Sequence, residues 1–294
     1  MAELRFHKPP ERPELLRVMR EDARYDAASS SDPVAACPPG FLSGDIRAKA
    51  PPPKVPKVFL SNQCSFNCAY CGCRASNGEK TRYCVQPREM ARIAVGEADR
   101  NRRGVFLTSA IYKNADYTEE LIVETLRIMR EELRYPGYIH AKVMPGTDPL
   151  LIEKAGRYAD RLSVNIEVAK SEGYAKIAKQ KTRDNILSPM AAISRLIRAN
   201  REEKSPFKPA FATSQTTQLM AGSTDEDDRT ILTLSSALYR KYRLGRVYYT
   251  AFRYRHPAAG YDLPLVSTPV WRVGRLYQAD RLLQLYGFTP DEIL

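Results

Sequence analysis

The amino-acid sequence predicts an α/β fold, a partial, TIM-like (β/α)6 barrel that follows an irregular N-terminal lead-in. Two observations point to this fold: short apolar runs alternate with longer amphipathic stretches from residue 58 onward, and the alternation occurs six times. Consecutive β-then-α units imply parallel strands joined by right-handed crossovers. Six units suit an open barrel better than the eight of a closed (β/α)8 barrel. A hydrophobic share of 43% in 294 residues is enough for a sizeable core.

Residues 1–57 form the irregular N-terminal extension of this prediction. The stretches SSSDP, CPPG and APPPKVPK are dense in Pro, Ser and Gly, which mark an irregular chain and not a packed domain. One helix is predicted within the extension, from about Pro13 to Ala27. The barrel core is assigned to residues 58–288, and the start of a further helix to residues 289–294.

Strands are predicted at the apolar runs, and helices where apolar residues recur at three- and four-residue spacing. The six predicted strands span residues 58–62, 104–110, 138–144, 161–168, 209–220 and 246–252. The predicted helices span residues 87–102, 117–134, 148–159, 171–204, 225–243 and 268–287. The helical stretch 171–204 is expected to break into two near Ser188 and Pro189. Asp148-Pro149 and Thr268-Pro269 are good pairs of N-cap and first-turn proline.

The last six residues predict the first turn of another helix. Thr289-Pro290-Asp291-Glu292 offers an N-cap, a first-turn proline and early acidic residues. Only two residues follow, so we expect a helix that begins here and is cut short.

The charge and hydropathy of the chain narrow its class. No apolar run approaches the roughly 18 residues of a membrane helix, and the N-terminus lacks the apolar core of a signal peptide. These features predict a soluble, cytoplasmic protein with no membrane partner. The net charge of +12 is consistent with a polyanionic partner. The alternative is a basic surface that only keeps the protein solvated.

Four of the six cysteines are concentrated in CSFNCAYCGC, residues 64–73, directly after the first predicted strand. Ligands of such folds bind at the carboxyl ends of the strands, so this loop belongs to the active face. Cys64, Cys68 and Cys71 can each ligate one iron of a [4Fe–4S] cube, which leaves the fourth iron open for a cofactor. Cys73 follows too closely on Cys71 to ligate the same cube and is expected to stay reduced.

Two alternatives compete with a cluster at this loop. A disulfide framework is disfavoured, because the cytosol keeps thiols reduced. A structural zinc site usually combines two CxxC elements or Cys and His pairs. Here Cys37 and Cys84 are isolated in the sequence, and the only histidines are His7, His140 and His256. The spacing therefore favours an iron–sulfur cluster.

The motif Cys-x3-Cys-x-Tyr-Cys after the first strand of a (β/α)6 pattern resembles that of the radical S-adenosylmethionine (radical SAM) superfamily. The resemblance implies a [4Fe–4S] cluster whose open iron binds S-adenosylmethionine, and an electron donor such as flavodoxin or ferredoxin. It also implies reductive cleavage of S-adenosylmethionine to methionine and a 5′-deoxyadenosyl radical, which takes a hydrogen atom from the substrate. The cofactor carries this chemistry, while the protein orients it and excludes water.

The resemblance also assigns candidate cofactor contacts at the ends of the strands. Tyr70 is expected beside the adenine, and Thr108 and Ser109 near the amino group of the cofactor. On the fourth strand, Ser163, Asn165 and Glu167 share one face, where Asn165 and Glu167 suit the ribose hydroxyls. The alternative for Glu167 is a salt bridge to Lys142. Lys142 itself is a candidate for the cofactor carboxylate or a substrate phosphate, and Gln215 on the fifth strand is a further candidate for the cofactor.

Candidate substrate residues lie on the last two strands. Gln218 can read the hydrogen-bonding edge of a base, whereas the alternative for it and Gln215 is a polar edge strand. The run RVYYTAFRYR interleaves aromatic and basic residues, as platforms for single-stranded nucleic acids do, although the same composition is common in strands. Tyr248, Tyr249 and Arg253 are its candidates, and alternation leaves open which tyrosine faces the interior.

A narrower resemblance extends over nearly the whole chain. The stretches ARYDAA, GYIHAKVMPG, YADRLSVNIE, SQTTQLMAGSTDEDDRTIL and RLYQADRLLQLYGF resemble one radical SAM subfamily that is associated with DNA modification or repair. This resemblance implies a nucleic-acid substrate and a uracil-DNA-glycosylase-like partner protein. Members usually continue into a helix-hairpin-helix segment, from which this chain departs by stopping at Leu294.

Three functions remain open on the sequence. The leading one is a radical SAM enzyme that acts on DNA or a nucleotide. The second is a tRNA-modifying radical SAM enzyme, in which the same positive charge and aromatic residues would bind the tRNA. A non-catalytic iron–sulfur protein that binds nucleic acid or senses redox state is the third, but an electron-transfer cluster usually has all four irons ligated by protein.

Overall fold

The fold is a six-stranded, fully parallel sheet in a computed structural model that describes residues 11–23, 55–101, 104–253 and 263–294. The strands are neighbours in sequence order, from β1 to β6, so that each crossover returns to the adjacent position. Their bounds are β1 Lys57–Phe59, β2 Val105–Thr108, β3 Ile139–Lys142, β4 Arg161–Ser163, β5 Ser214–Ala221 and β6 Arg246–Ala251. The sheet curls into a half barrel, which confirms the predicted α/β class and the six units.

Helices follow each strand and cover the outer side of the sheet. Their bounds are α1 Arg12–Ala23, α2 Pro87–Asn101, α3 Ala115–Arg127, α4 Pro149–Tyr158, α5 Ser171–Ile177, α6 Arg183–Glu202, α7 Asp228–Tyr242, α8 Val270–Leu285 and α9 Pro290–Ile293. A π-helical segment, Ile128–Glu132, continues α3. Within the described ranges, none of these helices combines the length and apolar composition that crossing a membrane requires.

The two faces of the sheet differ sharply in chemistry. The face toward the helices is apolar and closed, as Val58, Leu107, Ala141 and Leu162 show with exposures of 3% or less. Period-two alternation places the intervening residues on the concave interior. Lys57, Phe106, His140, Arg161 and Ser214 lie opposite one another in register and form one interior row. The interior is therefore lined by polar and aromatic side chains.

The helix break in residues 171–204 falls earlier than the sequence predicted. The chain leaves the helix after Ile177, and Thr182 caps the new helix through a capping box with Asn185. Pro189 lies inside α6, where its missing N–H leaves the Asn185 carbonyl without its helical partner. The Gly146 N–H donates to that carbonyl at 2.6 Å. A contact from the β3–α4 loop thus lets the helix run through the proline.

Helix α1 packs beside β1 and reaches the cysteine loop through a buried carboxylate. Asp22 forms an ion pair with Lys80 and accepts hydrogen bonds from Asn62 Nδ2 at 3.1 Å and from the Tyr83 hydroxyl at 3.5 Å. The Asp22 side chain is fully buried. The predicted helix of the lead-in is confirmed over Arg12–Ala23, while residues 24–27 of the prediction lie outside the described residues. The helix is fastened to the loop that follows β1.

The open edge of the sheet at β6 is covered by tyrosine hydroxyls from two helices. The Val247 N–H donates to the Tyr239 hydroxyl at 2.9 Å, and the Tyr249 N–H donates to the Tyr277 hydroxyl at 3.0 Å. The Tyr277 hydroxyl donates in turn to the Tyr249 carbonyl at 3.1 Å. Backbone groups that would otherwise offer a pairing edge are satisfied within the chain.

Glu119 on α3 predicts a pH-dependent stability. Its carboxylate is completely buried and accepts the Met144 N–H at 3.0 Å. Burial raises the pKa of Glu119 from 4.5 to about 8, and the charge of Asp116 adds to the rise, although the Met144 hydrogen bond lowers it. Between these two pKa values the folded protein holds a proton that the unfolded chain has lost. The free energy of unfolding should therefore fall by about 1.4 kcal/mol per pH unit as the pH rises through this window.

Glu119→Gln should remove this slope, because the amide does not ionise. Denaturant unfolding of both proteins at several values between pH 5 and pH 8 measures the difference. Glu120→Gln on the exposed side of the same helix is the matched control and should retain the slope. An identical slope in wild type and Glu119→Gln would contradict the raised pKa.

Candidate functional site

The cysteine loop leaves β1 and lies across the carboxyl end of the half barrel. The Ser65 N–H donates to the Ile111 carbonyl beyond β2, and the Ala69 N–H donates to the Ile177 carbonyl at the end of α5, both at 2.8 Å. Hydrogen bonds thus connect the loop to two distant segments at the carboxyl end of the half barrel, which we call the mouth. This placement agrees with its predicted position on the active face.

One arginine holds the loop in shape from within. Arg82 donates through Nη1 to the carbonyls of Asn62 and Cys73 at 2.7 and 2.8 Å, and through Nη2 to those of Arg74 and Asn77 at 2.5 and 3.0 Å. A guanidinium presents several donors in a fixed plane, so one side chain can satisfy four loop carbonyls. The shape of the loop therefore depends on Arg82, which no sequence pattern singled out.

Cys64, Cys68 and Cys71 are free thiols near one another on this loop. Burial raises the pKa of Cys68 to about 12, and the charges of Cys71 and Cys64 add to this rise. The Cys73 side chain donates a hydrogen bond to Cys71, and together with the Cys73 N–H it lowers the pKa of Cys71. Cys73 thus acts on Cys71 as a hydrogen-bond donor.

No three His, Cys, Asp or Glu side chains of the described ranges are arranged to hold one metal ion. The donor set of the loop is three thiols, and backbone N–H groups point at two of them: Phe66 N–H lies 3.4 Å from Cys64 Sγ, and Cys73 N–H lies 3.4 Å from Cys71 Sγ. Hydrogen bonds to sulfur favour the thiolate form that iron requires. The assignment of the three cysteines as cluster ligands stays a prediction.

A buried ion pair lies beneath the loop. Lys181 Nζ donates to Glu167 Oε1 at 3.0 Å and to the Tyr70 hydroxyl at 3.0 Å, and Asn165 Nδ2 lies 3.3 Å from the same Glu167 oxygen. The side chains of Lys181 and Glu167 are 10% and 6% exposed. The structure therefore brings together three predicted residues, Tyr70, Asn165 and Glu167, around a lysine that was not predicted.

Both members of the pair are charged. Burial acts to raise the pKa of Glu167, but the charges of Lys181 and Lys142 and the hydrogen bonds from Lys181 and Asn165 outweigh it, so the pKa is lowered. Burial acts to lower the pKa of Lys181, but Glu167 and Cys68 outweigh it, so the pKa is raised. A carboxylate and an ammonium group are thus fixed in a dry site, where their interactions are strong.

The alternative predicted for Glu167 was a salt bridge, and the structure shows one to Lys181. Lys181 Nζ lies 3.0 Å from Glu167 Oε1, and the charge of Lys142 also acts to lower the pKa of Glu167. Lys181 lies between α5 and α6, in the stretch AKQK. This stretch has no hydrophobic periodicity from which the position of the Lys181 side chain could be predicted. Only one argument could have pointed to Lys181 from the sequence: a buried carboxylate needs a cation, and a nearby loop can supply it.

Glu167 adopts a left-handed backbone conformation, with a φ of +63°. The Glu167 N–H donates to the Gln218 carbonyl at 2.9 Å, and the Glu167 carbonyl accepts from the Met220 N–H at 2.7 Å. Such a φ costs a non-glycine residue about 1 kcal/mol and is found where the surroundings enforce it, often at functional sites. Strand β5 thus holds Glu167 in place. The predicted strand 161–168 ends at Ser163, and beyond it Glu167 pairs with Leu219 only as an isolated bridge.

The residues predicted near the cofactor on the other strands differ in their surroundings. Thr108 is 1% exposed, and its hydroxyl has no hydrogen-bond partner in the described part of the chain. Ser109 donates to the Ala110 carbonyl at 2.7 Å. Ser163 Oγ lies 2.8 Å from His140 Nε2, deeper in the interior than Glu167. Of the three, Thr108 is the one whose hydroxyl makes no hydrogen bond within the described ranges.

Two candidates face the helices and not the interior, so their predicted roles are wrong. Gln215 is buried, and its amide donates to the Met190 carbonyl on α6 at 3.1 Å. The Tyr249 hydroxyl lies 2.8 Å from Ser235 Oγ and 2.9 Å from Asp280 Oδ1, on α7 and α8. Both contacts belong to the packing between sheet and helices, so neither side chain can contact a ligand in the barrel.

The remaining candidates lie on the interior side or at its edge. Gln218 and Tyr248 are paired in register and have the opposite orientation to Tyr249. Tyr248 is half-buried, with the Arg246 guanidinium 5.5 Å from its ring centroid. Arg253 follows β6 and is half-buried. Tyr254 and Arg255, the end of the aromatic–basic run, and the isolated Cys37, His7 and His256 lie outside the described residues.

Comparisons with known proteins agree with this architecture. The family model described as Radical SAM superfamily matches residues 58–231, which is more than half of the chain. No curated protein matches the chain. Among solved structures, the FeFe-hydrogenase maturase HydG from Carboxydothermus hydrogenoformans is similar at 17% identity over 76% of this chain, with a TM-score of 0.53. Methylornithine synthase (PylB) is similar at 18% identity over 75% of this chain, with a TM-score of 0.54.

These structural similarities concern the fold, since the identities are low. The chain spans only 51% of the length of that HydG structure and 61% of that of PylB. The family match is the finding that assigns the class, because it covers the cysteine loop and the first five strands. Members are enzymes that use a [4Fe–4S] cluster and S-adenosylmethionine. The chain belongs to the radical SAM superfamily.

Proposed function

We propose that this radical SAM enzyme modifies or repairs DNA or a nucleotide, with its cluster held by Cys64, Cys68 and Cys71. The observation that carries the site assignment is the buried Lys181–Glu167 pair, which the Tyr70 hydroxyl joins to the cysteine loop. It places a fixed anion and a fixed cation directly beneath the three thiols. A zwitterionic, ribose-containing cofactor needs both charges.

The residues at the mouth fit the two groups that the family uses. Three free thiols on one compact loop fit the three protein-bound irons of an open cluster. The unpartnered, buried hydroxyl of Thr108 fits an additional donor or acceptor from a ligand. When bound, the cluster and S-adenosylmethionine together supply a carbon radical that removes a hydrogen atom from the substrate.

The chain's own residues bind and orient this cofactor. Glu167, charged and held by Asn165 and Lys181, can accept hydrogen bonds from both ribose hydroxyls. Lys181 can meet the carboxylate of the methionine part. Thr108 and Ser109, at the end of β2, lie where its amino group is expected. The burial of Glu167 and Lys181 excludes water, which strengthens each of these contacts.

The substrate class rests on charge and on the interior end of β6. The net charge is +12, and Tyr248 offers a half-buried ring beside Arg246 on the interior side of β6. Gln218 lies beside Tyr248 in register and offers an amide to a base edge. Flavodoxin or ferredoxin as the electron donor and a uracil-DNA-glycosylase-like protein as a partner belong to the same proposal.

Cofactor cleavage in the presence of candidate substrates tests this function. Anaerobically reconstituted enzyme is given S-adenosylmethionine with single-stranded DNA, duplex DNA, tRNA or no nucleic acid, and 5′-deoxyadenosine is measured. Stimulation by DNA, above all by single strands whose bases are accessible, supports the proposal. Stimulation by tRNA alone would indicate that the substrate is tRNA and not DNA. Equal cleavage in all four conditions would reject a nucleic-acid substrate.

Arg253→Ala should weaken single-stranded DNA binding through the loss of one phosphate contact. Each neutralised phosphate releases counterions, so the slope of log affinity against log salt should decrease in magnitude by about 0.7. Fluorescence anisotropy at several salt concentrations measures both slopes. Arg198→Ala on the exposed face of α6 is the matched control and should leave the slope unchanged. An equal loss in both variants would mean diffuse binding to a basic surface.

A further inference from the structure

Helix α1 closes the cysteine loop at its base. The Asp22 carboxylate accepts a hydrogen bond from Asn62 Nδ2 at 3.1 Å, just before the loop begins. Beyond the cysteines, the Tyr83 hydroxyl lies 3.5 Å from the same Asp22 oxygen, and Lys80 forms an ion pair with Asp22. One side chain from outside the loop therefore joins its two ends.

Asn62 extends this contact into the backbone at both ends of the loop. It is completely buried, and its Oδ1 accepts a hydrogen bond from the Tyr83 N–H at 2.9 Å. The Asn62 carbonyl accepts from Arg82, the guanidinium that also binds the Cys73 carbonyl. Asp22 and Arg82 thus fix the same segment from two sides. The spacing of the three thiols follows from the shape that these contacts give the loop.

The helix that carries Asp22 is part of the core. Its residues Leu15, Val18 and Met19 are each 6% exposed or less, so a buried apolar face holds α1 against the barrel. Helix α1 precedes residues 58–231, which the family model matches. The contact between Asp22 and the loop is therefore a feature of this chain that the family assignment does not supply.

The Asp22–Lys80 pair also lies close enough to the cysteines for their charges to interact. Burial acts to lower the pKa of Lys80, but Asp22 and the charges of Cys73 and Cys71 outweigh it, so the pKa is raised. The Asp22 side chain is fully buried, and that of Lys80 is 18% exposed. Without Asp22, the positive charge of Lys80 beside the cysteines would lose the negative charge that balances it.

We propose that Asp22 is a positioning residue for the iron–sulfur cluster, because it holds the cysteine loop in its ligand-binding shape and balances the charge of Lys80. The inference rests on the cluster assignment within the proposed function and not on the nucleic-acid substrate. Groups behind metal ligands orient them, and substitution of such groups typically weakens metal binding by about 10- to 100-fold. The potential of an iron–sulfur cluster depends on the net charge around it. Asp22 therefore affects both how firmly the cluster is held and how readily it is reduced.

The rate at which the reconstituted enzyme loses iron tests the positioning role. After anaerobic reconstitution, a chelator of ferrous iron is added and the coloured complex is followed over time. We expect Asp22→Asn to release iron about tenfold or more faster than wild type. Asp280→Asn is the matched control, since Asp280 is a buried carboxylate that accepts two tyrosine hydroxyls at the opposite edge of the sheet. It should release iron at the wild-type rate, even if denaturant unfolding shows an equal loss of stability.

The midpoint potential of the cluster is a second readout, which a general loss of stability does not move. Asp22→Asn removes one negative charge while Lys80 remains, so the cluster should be easier to reduce and its potential should rise. Asp280→Asn should retain the wild-type potential. Lys80→Met should also accelerate iron release, because it leaves Asp22 buried and unpaired, whereas Lys80→Arg keeps a cation and should not. The two Lys80 variants decide the result if Asp22→Asn does not fold.

Iron release at the wild-type rate from Asp22→Asn would overturn the inference. Equal acceleration in Asp22→Asn and Asp280→Asn would overturn it as well, because the effect would then follow from global stability, and so would an unchanged potential in Asp22→Asn. A wild-type enzyme that assembles no cluster would reject the cluster assignment and this inference together. Asp22-dependent iron release from an enzyme that no nucleic acid stimulates would support the inference and reject the proposed substrate.

Discussion

Serine in place of Cys64, Cys68 or Cys71 is expected to abolish both cluster assembly and cleavage of S-adenosylmethionine. Each thiol supplies one of the three protein ligands, and an alcohol is a poor ligand for iron because it does not ionise near neutral pH. Iron and sulfide content after anaerobic reconstitution measures assembly, and 5′-deoxyadenosine formation measures cleavage. Loss of activity should accompany loss of iron in all three variants.

Two other cysteines serve as matched controls for this result. Cys84 is half-buried at the far end of the loop, where it pairs with Ser61 in an isolated bridge, so Cys84→Ser should assemble a full cluster. Cys73→Ser retains a hydrogen-bond donor near Cys71 and should also assemble it. Iron loss in Cys73→Ser equal to that in Cys71→Ser would move Cys73 into the ligand set and contradict the three-cysteine assignment.

Lys181→Met is expected to destabilise the protein by about 3–5 kcal/mol and to weaken cofactor binding. The substitution leaves Glu167 as a buried carboxylate without its hydrogen-bonded cation, and an unpaired buried charge is costly. Denaturant unfolding measures the stability loss, and equilibrium binding of S-adenosylmethionine measures the affinity. Glu167→Gln should lower that affinity by about 1–3 kcal/mol, through the loss of charge-assisted hydrogen bonds.

The matched control is an ion pair of similar length at the surface. Lys176 Nζ lies 3.1 Å from Asp225 Oδ1, and both side chains are largely exposed. Lys176→Met should cost no more than about 1 kcal/mol, because water replaces the lost partner. The double variant Lys181→Met with Glu167→Gln should regain part of the stability lost in Lys181→Met. Equal losses in Lys176→Met and Lys181→Met would show that the buried pair has no special role.

The pH dependence of this pair has a defined sign. The folded-state pKa of Glu167 is lowered from 4.5, so its contribution is complete above the pKa of the unfolded chain. That contribution is lost as the pH falls through the lowered folded value. Glu119 has the opposite sign, because its folded pKa is raised to about 8. Wild-type stability should therefore decline on both sides of a mildly acidic optimum, and each decline should disappear with its own substitution.

Much of the fold was predictable because its units repeat. Apolar runs and amphipathic stretches alternate in step with the structure, and all six strands overlap their predicted ranges. The position of the cysteine loop followed from the rule that ligands bind at the carboxyl ends of parallel strands. The contents of the mouth were only partly predictable. Tyr70, Asn165 and Glu167 could be found by motif and alternation, since they belong to the loop and to one strand.

Other features depend on contacts that no local pattern encodes. Lys181 meets Glu167 because α5 ends early and folds the intervening loop back over β4. Pro189 does not break its helix, because a distant glycine N–H takes up the freed carbonyl. Alternation placed one of Tyr248 and Tyr249 in the interior, but the register with β5 and the contacts of α7 and α8 were needed to tell which.

The tyrosine hydroxyls that cover the edge of β6 have a consequence for biosynthesis. Tyr277 lies 28 residues after Tyr249, whose backbone it covers, so the ribosome releases β6 before the side chain that protects it. At a synthesis rate of about 5–20 residues per second, this interval lasts on the order of seconds. During it, the backbone groups of Tyr249 at the edge of β6 lack their cover and are open to neighbouring chains on the same message, whereas Tyr239, which covers Val247, has already been made. Chaperones that bind nascent strands would have their greatest effect on this protein at that stage.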